Sequence, residues 1–283
     1  MKHKKLIISL ILFLIVIALI VINALFIAPH KLTIREETIK IESSDETFKD
    51  FTIAYFSDLH YGTYTLSSDL DKVVETINSV KPDLVLFGGD LVDNLSTKGL
   101  NKNDEDILID KLKSLKASIS KYAVLGEHDE ASSEAKEKVL EILSQADFVV
   151  LENENIKLSN GGDDYINLVG LDCSVNGYVD VSKAYEGISN EKFTLAFFHC
   201  PDTFNDINTY STDYALAGHS HGGQIYFPLI NLFNRPSGCI DYYRGKHHQN
   251  NATLDISNGV GLENKSIRLF ADAEVVFYKI KLK

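Results

Sequence analysis

The 283-residue sequence predicts an α/β fold in which one β-sheet is layered on another, and three observations carry that prediction. Short apolar runs bounded by polar turns recur from about residue 50 onward, segments of helical spacing separate the earlier runs, and helical spacing is scarce in the second half. Strands that alternate with helices build a sheet covered by helices. Strands without intervening helices need another sheet to cover them.

Taken in order, the chain opens with the basic "MKHKK" and continues with 23 uncharged residues, Leu6 to Ala28, in which only Ser9 and Asn23 are clearly polar. At about 1.5 Å per residue such a helix covers the roughly 30 Å hydrocarbon core of a bilayer. The lysines precede the segment, so the positive-inside rule predicts a cytoplasmic N-terminus and an extracytoplasmic remainder, on the cell membrane as a single-pass protein. The apolar region is longer than that of a cleaved signal peptide, and "INALFIA" offers a poor small-x-small site, so an uncleaved anchor is expected. Residues 1–5 therefore read as the cytoplasmic end, 6–28 as a transmembrane signal anchor, 29–48 as a stalk with a first strand, and 49–283 as one catalytic-sized domain.

"LTIREETIKI" alternates as a half-buried strand does, and a polar turn separates it from the apolar "FTIAYFSDLH". Further strand-like runs are "DLVLFGGD", "YAVLGEHD", "FVVLENE", "YINLVGLD", "FTLAFFHC" and "YALAGHSHGG". Helical spacing marks "SDLDKVVETINSV" through Leu70, Val73, Val74 and Ile77, and "EDILIDKLKSLKASI" through Ile107, Leu108, Leu112, Leu115 and Ile119. A third such segment is "SEAKEKVLEILSQA". "LSNGGDDYIN", Leu158 to Asn167, reads as a hairpin, and Leu229 to Asn251 as a long loop. Within that loop Arg235, Tyr242, Tyr243, Arg244, His247 and His248 either meet an anionic ligand or are simply solvated.

Without Lys2, Lys4, Lys5 and Lys31, which flank the apolar segment, 24 basic residues face 40 acidic ones. Such a surface repels phosphate backbones, so no nucleic-acid partner is expected. Cys173, Cys200 and Cys239 are widely spaced and form no CxxC pair, which signals neither a disulfide framework nor a thiolate zinc site. They are expected to be small buried residues.

The apolar runs share one further feature: they end in residues that bind metals. "FSDLH" ends in Asp58 and His60, "FGGD" in Asp90, "LGEHD" in Glu127, His128 and Asp129, "FFH" in His199, and "AGHSH" in His219 and His221. Singly, each has an ordinary reading as a helix cap, a core histidine or a turn carboxylate. Together, imidazoles and carboxylates at the carboxyl ends of strands are a donor set for divalent ions, in the place where α/β sheets assemble ligand sites.

The series Asp58-x-His60, Gly89-Asp90, Gly126-x-His128-Asp129, His199 and Gly218-His219-x-His221 resembles the calcineurin-like metallophosphoesterase superfamily, from about Phe51 to the C-terminus. "GHSHGGQI" and the C-terminal "LDISNGVGLENKSIRLFADAEVVFYKIKL" resemble its membrane-anchored YkuE/YaeI-like branch. The resemblance implies a four-layer α/β/β/α sandwich and a phosphate-ester substrate, a phosphodiester or phosphomonoester; the anchor, which places the site close to lipid head groups, points to a phospholipid or envelope component. The resemblance also implies two divalent metal ions (Mn, Fe or Zn), one held by Asp58, His60 and His221, the other by His199 and His219, with Asp90 bridging. Such ions, about 3.5–4 Å apart, clamp the phosphoryl oxygens and generate a hydroxide nucleophile. His128, held by Asp129, would then protonate the leaving oxygen.

Two positions depart from the usual pattern, the second more mildly. Glu127 stands where the family has Asn, and "HCPD" places Cys200 where the branch commonly has Asn. A carboxylate ligates a dication but, when ionised, donates no hydrogen bond to phosphate. Metal binding is expected to survive at Glu127 with catalysis lowered or redirected. The alternatives are a metal-binding pseudoenzyme or envelope interaction module, and a mononuclear hydrolase that would leave several histidines idle.

Overall fold

The computed structural model describes residues 2–43, 46–93, 100–227 and 235–283. Helix α1 (Lys2–Ile22) continues through a π-turn (Asn23–Ile27), and its side chains are almost all exposed. Among the described residues, this is the one helix long and apolar enough to cross a membrane.

Two six-stranded sheets follow. The first contains β1 (Leu32–Ile41), β2 (Thr52–Phe56), β3 (Leu84–Phe87), β4 (Ser120–Ala123), β5 (Phe148–Val150) and the last strand, β12 (Ala273–Leu282), in the order β1-β12-β2-β3-β4-β5. Only β12 against β2 is antiparallel. The second contains β6 (Glu154–Leu158), β7 (Ile166–Gly170), β8 (Thr194–Phe197), β9 (Tyr214–Ala217), β10 (Gly245–Gln249) and β11 (Ala252–Ile256), in the order β10-β11-β9-β8-β7-β6. Its inner strands β7, β8, β9 and β11 are parallel, and an antiparallel strand closes each edge.

Helices α2 (Ser67–Val80), α3 (Lys102–Lys113) and α4 (Ser133–Gln145) bury their apolar stripes on the outer face of the first sheet. Their starts are capped as their sequences allow: Asn101 accepts from the Asp104 N–H at 3.0 Å and Ser132 from the Ala135 N–H at 3.1 Å. A second core, including Ile53, Tyr55, Leu84 and Leu86 from one sheet and Leu168, Leu195, Phe197 and Leu216 from the other, lies between the sheets. The fourth layer is thin, with the four-residue α5 (Val181–Ala184) and a 3-10 turn at Pro201–Asn205 covering the far face of the second sheet.

The α/β/β/α layering agrees with the sequence reading, and so does the hairpin, which is β6–β7 in antiparallel register from Leu158 opposite Ile166. The expected strand over 32–41 is β1, and it runs parallel to β12 through ten paired positions, which makes it part of the first sheet. Two local expectations are corrected. The expected helix through Ile119 ends at Lys113, and its buried stripe includes Ile109 while Ile107 stays partly exposed. Residues 245–249 of the expected long loop form β10, a polar edge strand whose Lys, His and Gln side chains carry no apolar alternation to read; residues 229–234 of that loop lie outside the described residues.

A buried ionic cluster fastens β1 to both sheets. Arg35 donates to Glu274 of β12 at 3.1 Å and to the fully buried Asp255 of β11 at 2.8 Å, and the Tyr278 hydroxyl donates to the same Asp255 oxygen at 3.0 Å. Removing one partner leaves a carboxylate buried without its cation. We expect Arg35→Ala to lower unfolding free energy by about 3 kcal/mol, measured by denaturant titration of the detergent-solubilised chain.

Candidate metal centre

The candidate ligands come from five parallel strands, each a few residues beyond the strand's carboxyl end. Asp58 and His60 follow β2, Asp90 follows β3, Glu127 follows β4, His199 follows β8, and His219 and His221 follow β9. Parallel strands put these ends on one edge, and the stacked sheets bring the two groups together. The His219 N–H crosses from the second sheet to donate to Asp58 Oδ1 at 2.7 Å.

The backbone holding these side chains is unusual. Asp58, His60, Asp90, His219 and His221, five non-glycine residues, all take left-handed φ angles between 44° and 66°. Such conformations are disfavoured for L-residues and persist where surrounding contacts enforce them. Glycine is required between them. At Gly89, with φ of 93°, a Cβ would stand 2.7 Å from the Gly126 nitrogen and 2.8 Å from His199 Nδ1.

Two groups of donor atoms result, each with its atoms within 4.8 Å of one another: Asp58, His60 and His221, and Asp90, Glu127, His199 and His219. Asp90 lies between them. Its Oδ2 is 3.4 Å from His60 Nε2 and 3.2 Å from His199 Nε2. In the second group, Glu127 Oε2 is 2.7 Å from His199 Nε2 and Oε1 is 2.8 Å from His219 Nδ1. In the first, the Nε2 atoms of His60 and His221 face each other at 3.1 Å.

Several of these atoms are buried with no hydrogen-bond partner of acceptable geometry among the described residues, including His199 Nε2, His219 Nδ1 and Glu127 Oε2. Buried polar atoms are ordinarily satisfied, and divalent ions would satisfy these. The other ring nitrogens fix which atom faces inward: His199 Nδ1 lies 2.7 Å from the Gly88 carbonyl and His219 Nε2 2.7 Å from the Ser237 carbonyl. A carbonyl accepts, so each ring donates outward and aims its remaining nitrogen at the centre.

The electrostatics of the two groups differ. Burial holds His60 well below its ordinary range, helped by the charges of His221 and His128, and burial and Arg268 push His221 down to about 3. Both rings are therefore neutral. Burial opposes charge on His199 too, but Asp90 and Glu127 prevail and hold it well above the ordinary range. His219 is pushed up to about 11, because the contacts to Cys239 and Glu127 outweigh burial. The same two imidazoles hold Glu127 well below the usual carboxylate range despite its burial. Burial raises Asp58 to about 6.

The two residues expected to be catalytic are placed differently. His128 stands at the rim, its ring 4.8 Å from that of His60, and its Nε2 is 3.8 Å from Glu263. Burial lowers its proton affinity, but Glu263, Asp90 and Glu127 raise it to about 9. Asp129 does not hold His128. Its carboxylate is fully buried and accepts from the backbone N–H groups of Asp90 and Leu91 at 2.8 Å and of Gly126 at 2.9 Å. It clamps the loops after β3 and β4 together. Glu263, from the irregular segment before β12, was invisible in the sequence because neither spacing nor motif links it to His128.

All three cysteines are buried thiols, as expected. Cys173 and Cys200 lie 3.5 Å apart on the Glu127 side of the centre. The basic and aromatic residues of the 235–248 segment are engaged within the fold. Arg235 lies over the Tyr243 ring, Arg244 donates to the Gly222 carbonyl at 2.6 Å, and His247 lies 3.0 Å from the Arg244 carbonyl.

A metal that takes the lone pairs of His199 and His219 displaces their protons, whereas His60 and His221 have none to give. Both raised groups are protonated at neutral pH, so the affinity of the His199–His219 group for a divalent ion rises with pH until they lose their protons. We expect an ion taken by that group to release about two protons at neutral pH, and one taken by the Asp58–His60–His221 group to release almost none above the range in which Asp58 titrates, read from calorimetric titration in buffers of different ionisation heat.

Comparison with known proteins finds a family whose match spans the stretch that carries these residues. The profile of the family described as calcineurin-like phosphoesterase matches residues 51–223. The metallophosphoesterase YkuE of Bacillus subtilis (strain 168) is 30% identical over 260 residues, covering 91% of this chain and 88% of YkuE. YkoQ of the same organism is 24% identical over 254 residues, covering 87% and 90%. The UDP-2,3-diacylglucosamine pyrophosphatase LpxG of Chlamydia muridarum is 26% identical over 277 residues, covering 79% of this chain and 81% of LpxG.

Proposed function

The chain belongs to the calcineurin-like phosphoesterase family, a family of metal-dependent hydrolases of phosphate esters, and from that premise we propose a membrane-anchored enzyme that uses two divalent ions. Its domain is extracytoplasmic, and its substrate is a phosphodiester or phosphomonoester carried by a lipid or envelope component. The observation that supports a dinuclear centre best is the position of Asp90 Oδ2, shared between His60 of one donor group and His199 of the other. The apolar helix supports the anchor. LpxG, by its name a hydrolase of a diacylated sugar nucleotide, supports a lipid-borne substrate.

Asp58, His60 and His221 would hold one ion, and Glu127, His199 and His219 the other. When bound, the pair supplies Lewis acidity toward the phosphoryl oxygens and a nucleophile at neutral pH. The chain's own residues do the rest. Asp129 sets the loops after β3 and β4, the Gly88 and Ser237 carbonyls orient His199 and His219, and His128, kept protonated by Glu263, donates its Nε2 proton to the leaving oxygen. Glu127 acts as an adapted ligand, its two oxygens each facing one imidazole of the second group.

With Mn²⁺, the detergent-solubilised full chain is expected to hydrolyse bis(p-nitrophenyl) phosphate or p-nitrophenyl phosphate. EDTA and His219→Ala should abolish nitrophenolate release, and His128→Ala should reduce it by about 10²–10⁴. No turnover with two ions bound would favour the binding-protein reading, and a strong gain in Glu127→Asn would show that the carboxylate impairs the site.

Glu263→Gln removes the charge that favours the His128 imidazolium. Its alkaline limb in kcat against pH should therefore move to lower pH, because the general acid then loses its proton earlier. An unmoved limb would exclude the pair from the proton transfer.

A further inference from the structure

The apolar helix and the metal-binding loop after β9 meet on one surface. The Arg268 N–H donates to the Ala24 carbonyl at 3.1 Å, and Leu269 and Phe270 line an apolar groove with Val16, Leu19, Ile20 and Asn23 of the helix. Phe270 is 53% exposed and is held outward at a φ of 54°, a conformation disfavoured for a bulky residue. Its ring lies 6.2 Å from that of Phe227.

Two arginines fasten this apolar tip to the metal loop. Arg268, fully buried, donates to the Ala271 carbonyl at 2.6 Å and reaches the His221 carbonyl at 3.5 Å. Arg244 donates to the Gly222 carbonyl at 2.6 Å and to the Phe270 carbonyl at 3.0 Å, with its guanidinium 4.3 Å above the Tyr226 ring. The Leu269 N–H donates to the Gln224 carbonyl at 2.9 Å, and the Tyr226 N–H to the Leu269 carbonyl at 2.8 Å. Gln224 is three residues from His221, at most about 11 Å along the chain.

Helix geometry sets the depth of the groove. Counted from Leu6, directly after the lysines, about 20 residues span the hydrocarbon and end near Leu25. Ile20 then stands roughly 7 Å inside the outer edge, and the residues facing it stand there too.

Resting on the anchored reading above, we propose that Leu269 and Phe270, with Tyr226 and Phe227 beside them, are seated in the outer leaflet, and that lipid acyl chains occupy the groove. The Arg244–Tyr226 pair lies at the polar boundary, where such side chains are favoured. The metal loop is thereby held at head-group depth, and a lipid-borne phosphate reaches it without leaving the bilayer.

The chain contains no tryptophan, so a single introduced one reports its own surroundings. The full chain is reconstituted into phosphatidylcholine–phosphatidylglycerol vesicles, with or without chain-brominated lipid, as three variants: Phe270→Trp, Leu12→Trp within the anchor, and Tyr178→Trp at a 75% exposed position. Phe270→Trp is expected to emit to the blue of Tyr178→Trp and to be quenched about twofold or more by brominated lipid, as a side chain in the acyl region would be. Quenching of Leu12→Trp without quenching of Phe270→Trp overturns the proposal and leaves the anchor standing. If neither is quenched, the anchored reading fails and the proposal with it. The readout involves no turnover, so neither result depends on the phosphoesterase chemistry.

Discussion

The structure around the centre answers one constraint: Asp58, Asp90 and Glu127 are carboxylates withdrawn from water at the ends of β2, β3 and β4. An unpaired buried carboxylate is costly, and each of these faces either a backbone N–H or the charge of an imidazole. The His219 N–H serves Asp58, the His128 N–H serves Asp90, and two imidazoles serve Glu127. Aiming so many groups at one place forces the backbone into left-handed conformations at five ligand positions and excludes any side chain at Gly89.

The sheets divide the task. The first supplies every carboxylate of the donor set and His60, while the second supplies His199, His219 and His221. The apolar core between them is therefore also what sets the distance between the two kinds of ligand. β12 is central to this arrangement, because it pairs with both β1 and β2, carries Glu274 and Tyr278 of the ionic cluster, and follows the segment holding Glu263 and Arg268. Stability and site geometry thus rest on the same strand.

The charge balance also explains how an acidic protein handles an anionic substrate. Protonated His199 and His219 compensate Glu127 in the chain by itself, and dications would take over that role while adding positive charge. Arg268 places a further buried positive charge behind His221 and binds the carbonyls of Gly259 and Gly261 beside Asp58.

By itself the sequence determined what periodicity and residue type can encode: the apolar helix, the alternating strands and helices of the first half, the paired sheets, and the metal-competent residues closing the runs from Asp58 to His221. Those features are local, since each rests on spacing within one element. Only the tertiary structure decided that Asp129 binds backbone amides and not the His128 ring, and that Glu263, 135 positions further along the chain, faces His128 instead. It also decided that β1 is part of the first sheet, that the polar β10 pairs with β11, and that Leu269 and Phe270 lie against the apolar helix. These contacts join residues far apart in the chain, and their partners are chosen by packing and by the need to satisfy buried polar groups, which leave no repeat in the sequence to read.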